Sequence, residues 1–230
     1  MEAHRTASRE EWLAARKALL AREKEHTRAR DALNDARLAL PWVKLEKRYE
    51  FETEEGPRSL ADLFAGRRQL LVYHFMFAPG WNEGCKGCSF VADHLDGPLL
   101  HLPHHDVSVV MVARAKLAEL LAYKRRMGWK MPWVSSYESD FNRDFGVSSE
   151  ADGTWESYNY APAREGMPSE LPGLSAFFRD ETGQIFHTYS TFERGLEEFL
   201  STYALLDRAP LGRNETGTMS WVRHHDTYSG

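Results

Sequence analysis

Two uninterrupted apolar runs constrain this chain more than any other feature: LLVYHFMF at Leu70–Phe77 and VSVVMVA at Val107–Ala113. Each has the length of a strand, is rich in β-branched and aromatic residues, and lacks a polar alternation. Each therefore predicts a strand buried on both faces. Between them stand a Pro79–Gly80 turn and a segment, Ser89–Leu95, of helical character. Strand, helix and strand in that order form a βαβ unit, whose strands run parallel with a right-handed crossover.

The flanking sequence extends this unit. Residues 8–39 predict one long helix: Ser8 and Glu11 have capping-box spacing, good helix formers fill the segment, and Pro41 ends it. Trp12, Leu19, Leu33 and Leu40 fall on a seven-residue spacing that His26 and Arg22 interrupt. Such an arm is expected to pack on its own domain or on a second copy, as a homodimer, rather than to form a free coiled coil. VKLEKRYEF is short and extended, and Ser59–Phe64 allows one or two helical turns. Lys116–Met127 is an amphipathic helix with Gly128 placed to stop it. Residues 148–172 form a long irregular connection. Leu174–Phe178, a turn at RDETG, and Gln184–Tyr189 predict a β-hairpin. Phe192, Leu196, Phe199, Leu200 and Tyr203 fit one face of a final helix.

This element order predicts an α/β chain with a thioredoxin-like fold, a central mixed sheet flanked by helices. The expected divisions are an N-terminal helical arm (1–42), the thioredoxin-like domain (43–208) with an insertion around 148–172, and a polar C-terminal tail (209–230). A chain of 230 residues buries enough surface to hold its core without a disulfide or a metal.

The only two cysteines, Cys85 and Cys88, fall in WNEGCKGCSF, between the first strand and its helix. There a C-x-x-C has a definite chemistry. Cys85 would sit at the helix N-terminus, where unpaired N–H groups and the helix dipole favour a thiolate, with the positive charge of Lys86 beside it. Cys88, one turn on, would face the same side and resolve a mixed disulfide formed on Cys85. Gly84 and Gly87 keep the loop compact. The alternative is a buried, inert pair. A structural zinc site would need two more ligands, and the absence of a second C-x-x-C leaves that role to histidines. His104–His105–Asp106 and His224–His225–Asp226 repeat one triplet, but adjacent loop histidines usually face solvent. No metal and no cofactor are expected.

Other candidates have two readings each. His74, in the strand before the cysteines, is a hydrogen-bonded core histidine or a residue that tunes the thiols. Arg114, at the carboxyl end of the second strand, stabilises a thiolate, binds an anionic substrate, or forms an ion pair. Trp81 is an aromatic wall beside the sulfur or a packing residue. Trp129 and Trp133 read as core. Ser135 and Ser136 lack triad partners, and the chain has neither a P-loop nor a dinucleotide fingerprint. A net charge of −5 argues against a general nucleic-acid binder. No stretch has the length of a membrane span, and the N-terminus has no apolar signal region, so a cytoplasmic protein is expected. In a reducing cytosol such thiols are more often catalytic, redox-sensing or metal-binding than structurally paired.

FMFAPGWNEGCKGCSFVADHLDG resembles the signature of the bacterial DUF899 family, thioredoxin-like proteins regarded as dithiol-disulfide oxidoreductases. REEWLAARKALLAREKEHTRARDAL, LPWVKLEKRYEF, VARAKLAEL, GWKMPWVSS with DFNRDFGV, GLSAFFRDETGQIFHTYSTFERGLE, and LLDRAPLGRNE followed by WVRHHDTY resemble it too, over nearly the whole chain. The resemblance implies a thioredoxin fold with Cys85 and Cys88 as the redox pair, and names no substrate. Thioredoxins place a cis-proline opposite the C-x-x-C. Here Pro172 is near, but counting back from Phe178 puts Gly173 or Leu174 at that place.

The leading expectation is thus a thiol-disulfide oxidoreductase acting on protein or small-molecule disulfides or thiols. The alternatives are a thiol peroxidase of peroxiredoxin-like type, with Arg114 activating the peroxide, and a non-catalytic binding or scaffold protein.

Overall fold

Ser8 opens the first helix in the computed structural model, which describes residues 5–228. Its hydroxyl accepts from the Glu11 amide at 3.2 Å while the Glu11 carboxylate accepts from the Ser8 amide at 3.0 Å, the reciprocal cap the sequence predicts. Helix α1 runs over Arg9–Leu38 with no buried residue, and Trp12, Leu19 and Leu33 are about half exposed. The chain divides into two compact units, Met1–Pro41 and Trp42–Gly230. Residues 1–4 of the expected arm and 229–230 of the expected tail lie outside the described residues.

Among its described residues the second unit holds ten strands: β1 (Val43–Lys44), β2 (Glu50–Thr53), β3 (Gly56–Ser59), β4 (Gln69–His74), β5 (Val107–Ala113), β6 (Trp133–Ser135), β7 (Ser157–Tyr158), β8 (Ala161–Pro162), β9 (Gly173–Arg179) and β10 (Ile185–Phe192). Its helices are α2 (Leu60–Leu63), α3 (Lys86–Leu95), α4 (Leu117–Met127), α5 (Phe141–Asp144) and α6 (Ser201–Leu206). Eight strands form one sheet in the order β1-β10-β9-β4-β5-β6-β2-β3. Strands β4 and β5 pair in parallel from Gln69 opposite Val107 to His74 opposite Val112. Strand β9 joins the other edge of β4 antiparallel, and β10 returns beside β9. A parallel βαβ unit with an antiparallel hairpin at its side, flanked by helices, is a thioredoxin-like fold.

The two apolar runs are central because both of their faces are covered. Tyr73, Phe75, Phe77, Met111 and Ala113 enter one core with α3 and α4. Leu70, Val72, Val110 and Val112 enter a second core on the opposite face, with Phe64 and Phe141. Gly128 takes the left-handed conformation (φ 66°) that ends α4. Among the described residues no helix is long and apolar enough to cross a membrane.

Two segments differ from expectation. The predicted final helix is a 3-10 helix, Glu193–Phe199, followed by α6, because extended backbone at Leu200 (φ −94°, ψ 85°) breaks the run. The buried residues Leu196, Leu200 and Tyr203 nevertheless share one core. The polar tail does not stand apart either. It belongs to the second unit, with Val222 fully buried and Met219 and Trp221 packed on the cysteine-side core. The segment 148–172 is largely irregular. It carries the small β7–β8 hairpin, and Tyr158 donates to the Pro172 carbonyl at 2.7 Å.

Candidate functional site

After β4 the chain continues extended, with the Phe75 amide donating to the Val112 carbonyl at 2.9 Å. It then turns at Pro79–Gly80 and comes back, so that the Cys85 amide donates to the Met76 carbonyl at 3.1 Å. This return crosses the Phe75 ring at Gly84, where an added Cβ would stand 2.6 Å from a ring carbon. Only glycine fits without displacing the ring.

Cys85 is the N-cap of α3. Its carbonyl accepts from the amide and from the hydroxyl of Ser89, each at 2.9 Å, and the Ser89 hydroxyl shares a 3.0 Å hydrogen bond with Tyr123. The first turn is thus pinned to α4. Both thiols are free, Cys85 partly exposed and Cys88 buried. The Cys88 sulfur accepts from the Met76 amide at 3.4 Å.

These surroundings split the two thiols. The Cys88 S–H donates to Cys85, the amides of Cys88 and Gly87 point at the same sulfur, and His224 adds a favourable field; burial opposes them. Together they lower Cys85 to a pKa of about 6, so at neutral pH it is mostly thiolate. Burial, and then the neighbouring Cys85, push Cys88 well above the ordinary thiol value. The two neighbouring thiols thus differ in acidity, Cys85 the more acidic and Cys88 the less.

A cavity of about 330 Å³ opens beside the sulfurs, walled by Tyr73, Met76, Val91, Pro172, Leu196 and Met219 and rimmed by Glu193, Arg194 and Glu197. Its wall is apolar and its rim charged. A larger cavity, of about 730 Å³, is lined by Arg67, Ser108 and Lys130 among others and contains neither cysteine.

Lys86 begins α3 with an exposed side chain, and the causes that lower Cys85 are led by hydrogen bonds rather than by this charge. Trp81 is half-buried against the cysteine-side core and does not line the cavity. Arg114 is not at the thiols: it forms an ion pair with the buried Glu170 at 2.9 Å. Ser148 donates to the other Glu170 oxygen at 2.5 Å. His74 lies on the opposite face of β4, stacked on Phe141 and bonded to Ser175 at 2.8 Å. Burial lowers its pKa to about 3, so it is a neutral core histidine and does not tune the thiols. Pro172 does wall the cavity, and no peptide bond is cis among the described residues. The antiparallel pairing sets Gly173 opposite His74.

The tail supplies what the sequence reading missed. His224 is buried, and its Nε2 donates to the Gly84 carbonyl at 3.0 Å. His225 binds Asp93 at 2.7 Å. Arg126 of α4 bridges Glu83 of the cysteine loop, at 2.8 Å, and Asp226 of the tail, at 2.7 Å. The second histidine triplet therefore clamps the loop, and no group of three metal-ligating side chains occurs among the described residues. Tyr73 was missed as well: it shares a face with Phe75 and Phe77, and the packing of α3 on that face makes it the cysteine side.

The family model described as "Bacterial protein of unknown function (DUF899)" matches residues 1–228. No curated protein matches the chain. Among solved structures, peroxidoxin BcpB from Mycobacterium tuberculosis is similar at 15% identity and a TM-score of 0.46, over 71% of this chain and 94% of that one. A PrxQ mutant from Xylella fastidiosa gives 13% identity and a TM-score of 0.43, over 68% and 88%. A protein described as a DsbE-type thiol:disulfide interchange protein, from Chlorobium tepidum, gives 12% and 0.44, over 73% and 97%.

Proposed function

The chain belongs to the DUF899 family, whose description gives no activity, and from the chain's own residues we propose that it is a thiol-disulfide oxidoreductase working through Cys85 and Cys88. One observation carries the reading: a partly exposed thiol at a helix N-terminus, lowered to a pKa of about 6, beside a buried thiol that donates to it. A thiolate is the attacking species in disulfide exchange, and a value near ambient pH gives the best combination of ionised fraction and nucleophilicity.

The Cys85 thiolate attacks one sulfur of a bound disulfide, an S–S bond forms, and the other half leaves as a thiolate that takes a proton from solvent. Cys88 then attacks the Cys85 sulfur. Its proton passes to the second leaving thiol, and the product is a Cys85–Cys88 disulfide that an external dithiol reduces. The apolar wall suits a disulfide flanked by apolar groups, on a protein or a small molecule, and the charged rim sets its approach. The peroxidase alternative loses its activating cation, because Arg114 is held by Glu170. This reading places the exchange in the cytoplasm, where thiols stay reduced, and needs no nucleic acid. The apolar positions left exposed on α1 are proposed to pair two copies of the chain, which sedimentation of the full-length protein tests. The activity itself is tested by disulfide reduction with Cys85→Ser: the reading expects complete loss, and retained activity would sink it.

A further inference from the structure

We propose that Tyr73 is a catalytic residue of the second, resolving step, its hydroxyl donating to the Cys88 sulfur when that sulfur becomes a thiolate. This rests on the exchange proposed above and adds a group to it. Three observations carry it. Tyr73 is fully buried, and its hydroxyl makes no well-formed hydrogen bond. A buried hydroxyl is ordinarily paired, and one left open is either a cost or a group kept for another state. Tyr73 also walls the cavity that contains both sulfurs. Finally, the Cys88 sulfur already receives one donor, the Met76 amide at 3.4 Å, from the same stretch of chain.

A neutral thiol sulfur is a weak acceptor, whereas a thiolate is a strong one. In the resting dithiol the proton sits on Cys88, so the Tyr73 hydroxyl finds little to bond to. Once Cys85 is tied up as a mixed disulfide its negative charge is gone, and with it the acceptor that held the Cys88 proton. Cys88 must then ionise in a buried place in order to attack. Met76 N–H and Tyr73 O–H are the two donors at hand to carry that charge. Tyr73 remains a donor throughout, since burial, followed by the nearby Cys88, holds its own ionisation well above the ordinary range. Bonding from the Tyr73 hydroxyl lowers Cys88 against the burial that raises it. As the new S–S bond forms between Cys85 and Cys88, the bond to the substrate sulfur breaks, and the hydroxyl returns to its unpaired state.

Tyr73→Phe keeps the ring and removes only the hydroxyl. The reduced full chain is mixed with dithiobis(nitrobenzoate) in a stopped-flow instrument. Each step releases one coloured nitrothiobenzoate, so attack and resolution appear as successive equivalents. Cys88→Ser, which gives one equivalent, marks the first. The expected result for Tyr73→Phe is a second phase slowed roughly ten- to a hundredfold relative to its own first phase, the factor carried by one hydrogen bond to a charged atom. An unchanged ratio of the two phases overturns the role of Tyr73 and leaves the exchange chemistry standing. Equal slowing of both phases with a lowered melting temperature also overturns it, because the residue is then structural. A wild-type protein that releases only one equivalent refutes the resolving pair itself, and the role of Tyr73 falls with it.

Discussion

Replacing Cys88 with alanine removes the S–H donor that comes first among the causes holding Cys85 at a pKa of about 6. The amides of residues 87 and 88 and the field of His224 stay in place. A hydrogen bond to a charged atom is worth about 1.5–3 kcal/mol, which at about 1.4 kcal/mol per pH unit is a rise of about one to two units. The ionisation midpoint of Cys85 should therefore move to roughly 7–8. At neutral pH the thiolate fraction then falls from roughly nine-tenths to between a half and a tenth. The remaining thiolate is a stronger nucleophile by roughly three- to tenfold, from a Brønsted slope of about 0.4–0.5. These effects nearly cancel, so a rate at a single neutral pH moves little and the midpoint is the informative quantity. Alkylation of Cys85 followed over a range of pH, with ultraviolet thiolate absorbance as a second probe, reads it directly. An unshifted midpoint in Cys88→Ala would refute the bond between the two thiols as the source of the low value.

The tail and the insertion yield two further tests. His224→Gln removes the favourable field at Cys85, and the same alkylation profile should shift upward by less than in Cys88→Ala; no shift would leave His224 with only its bond to Gly84. Burial holds Glu170 up at about 7 against an ordinary value of 4.5, so between those values the folded protein binds a proton that the unfolded chain has released. The stability from this group is full below 4.5 and is lost as pH rises through about 7. Urea denaturation across that window should show a falling midpoint in the wild type and a flatter one in Glu170→Gln, and identical slopes would remove Glu170 as the cause.

The central parts of the fold were legible because they rest on local physics. Leu70–Phe77 and Val107–Ala113 cannot be solvated on either face, and β4 and β5 lie at the centre of the sheet. Ser8 and Glu11 fix the start of α1 by chemistry confined to one turn. The placing of Cys85 at the N-cap of α3 follows from the turn before it and the helix after it. What stayed hidden depends on which side the rest of the chain takes. His74 alternates with Tyr73, but only the packing of α3 decides which of the two faces the cysteines. Arg114 is at the expected end of its strand, yet Glu170, far along the sequence, captures it. The tail has no periodicity because it forms neither helix nor strand over most of its length. It is held by Val222 and by individual bonds from His224, His225 and Asp226.

The most direct measurement is a redox titration of the full chain in glutathione buffers, read by alkylation and intact mass. The account predicts that Cys85 and Cys88 pass together between dithiol and disulfide in a two-electron transition, at a potential of about −120 to −270 mV, the range of known dithiol oxidoreductases. A pair that remains dithiol throughout, or a Cys85 that collects glutathione without ever closing on Cys88, would contradict it.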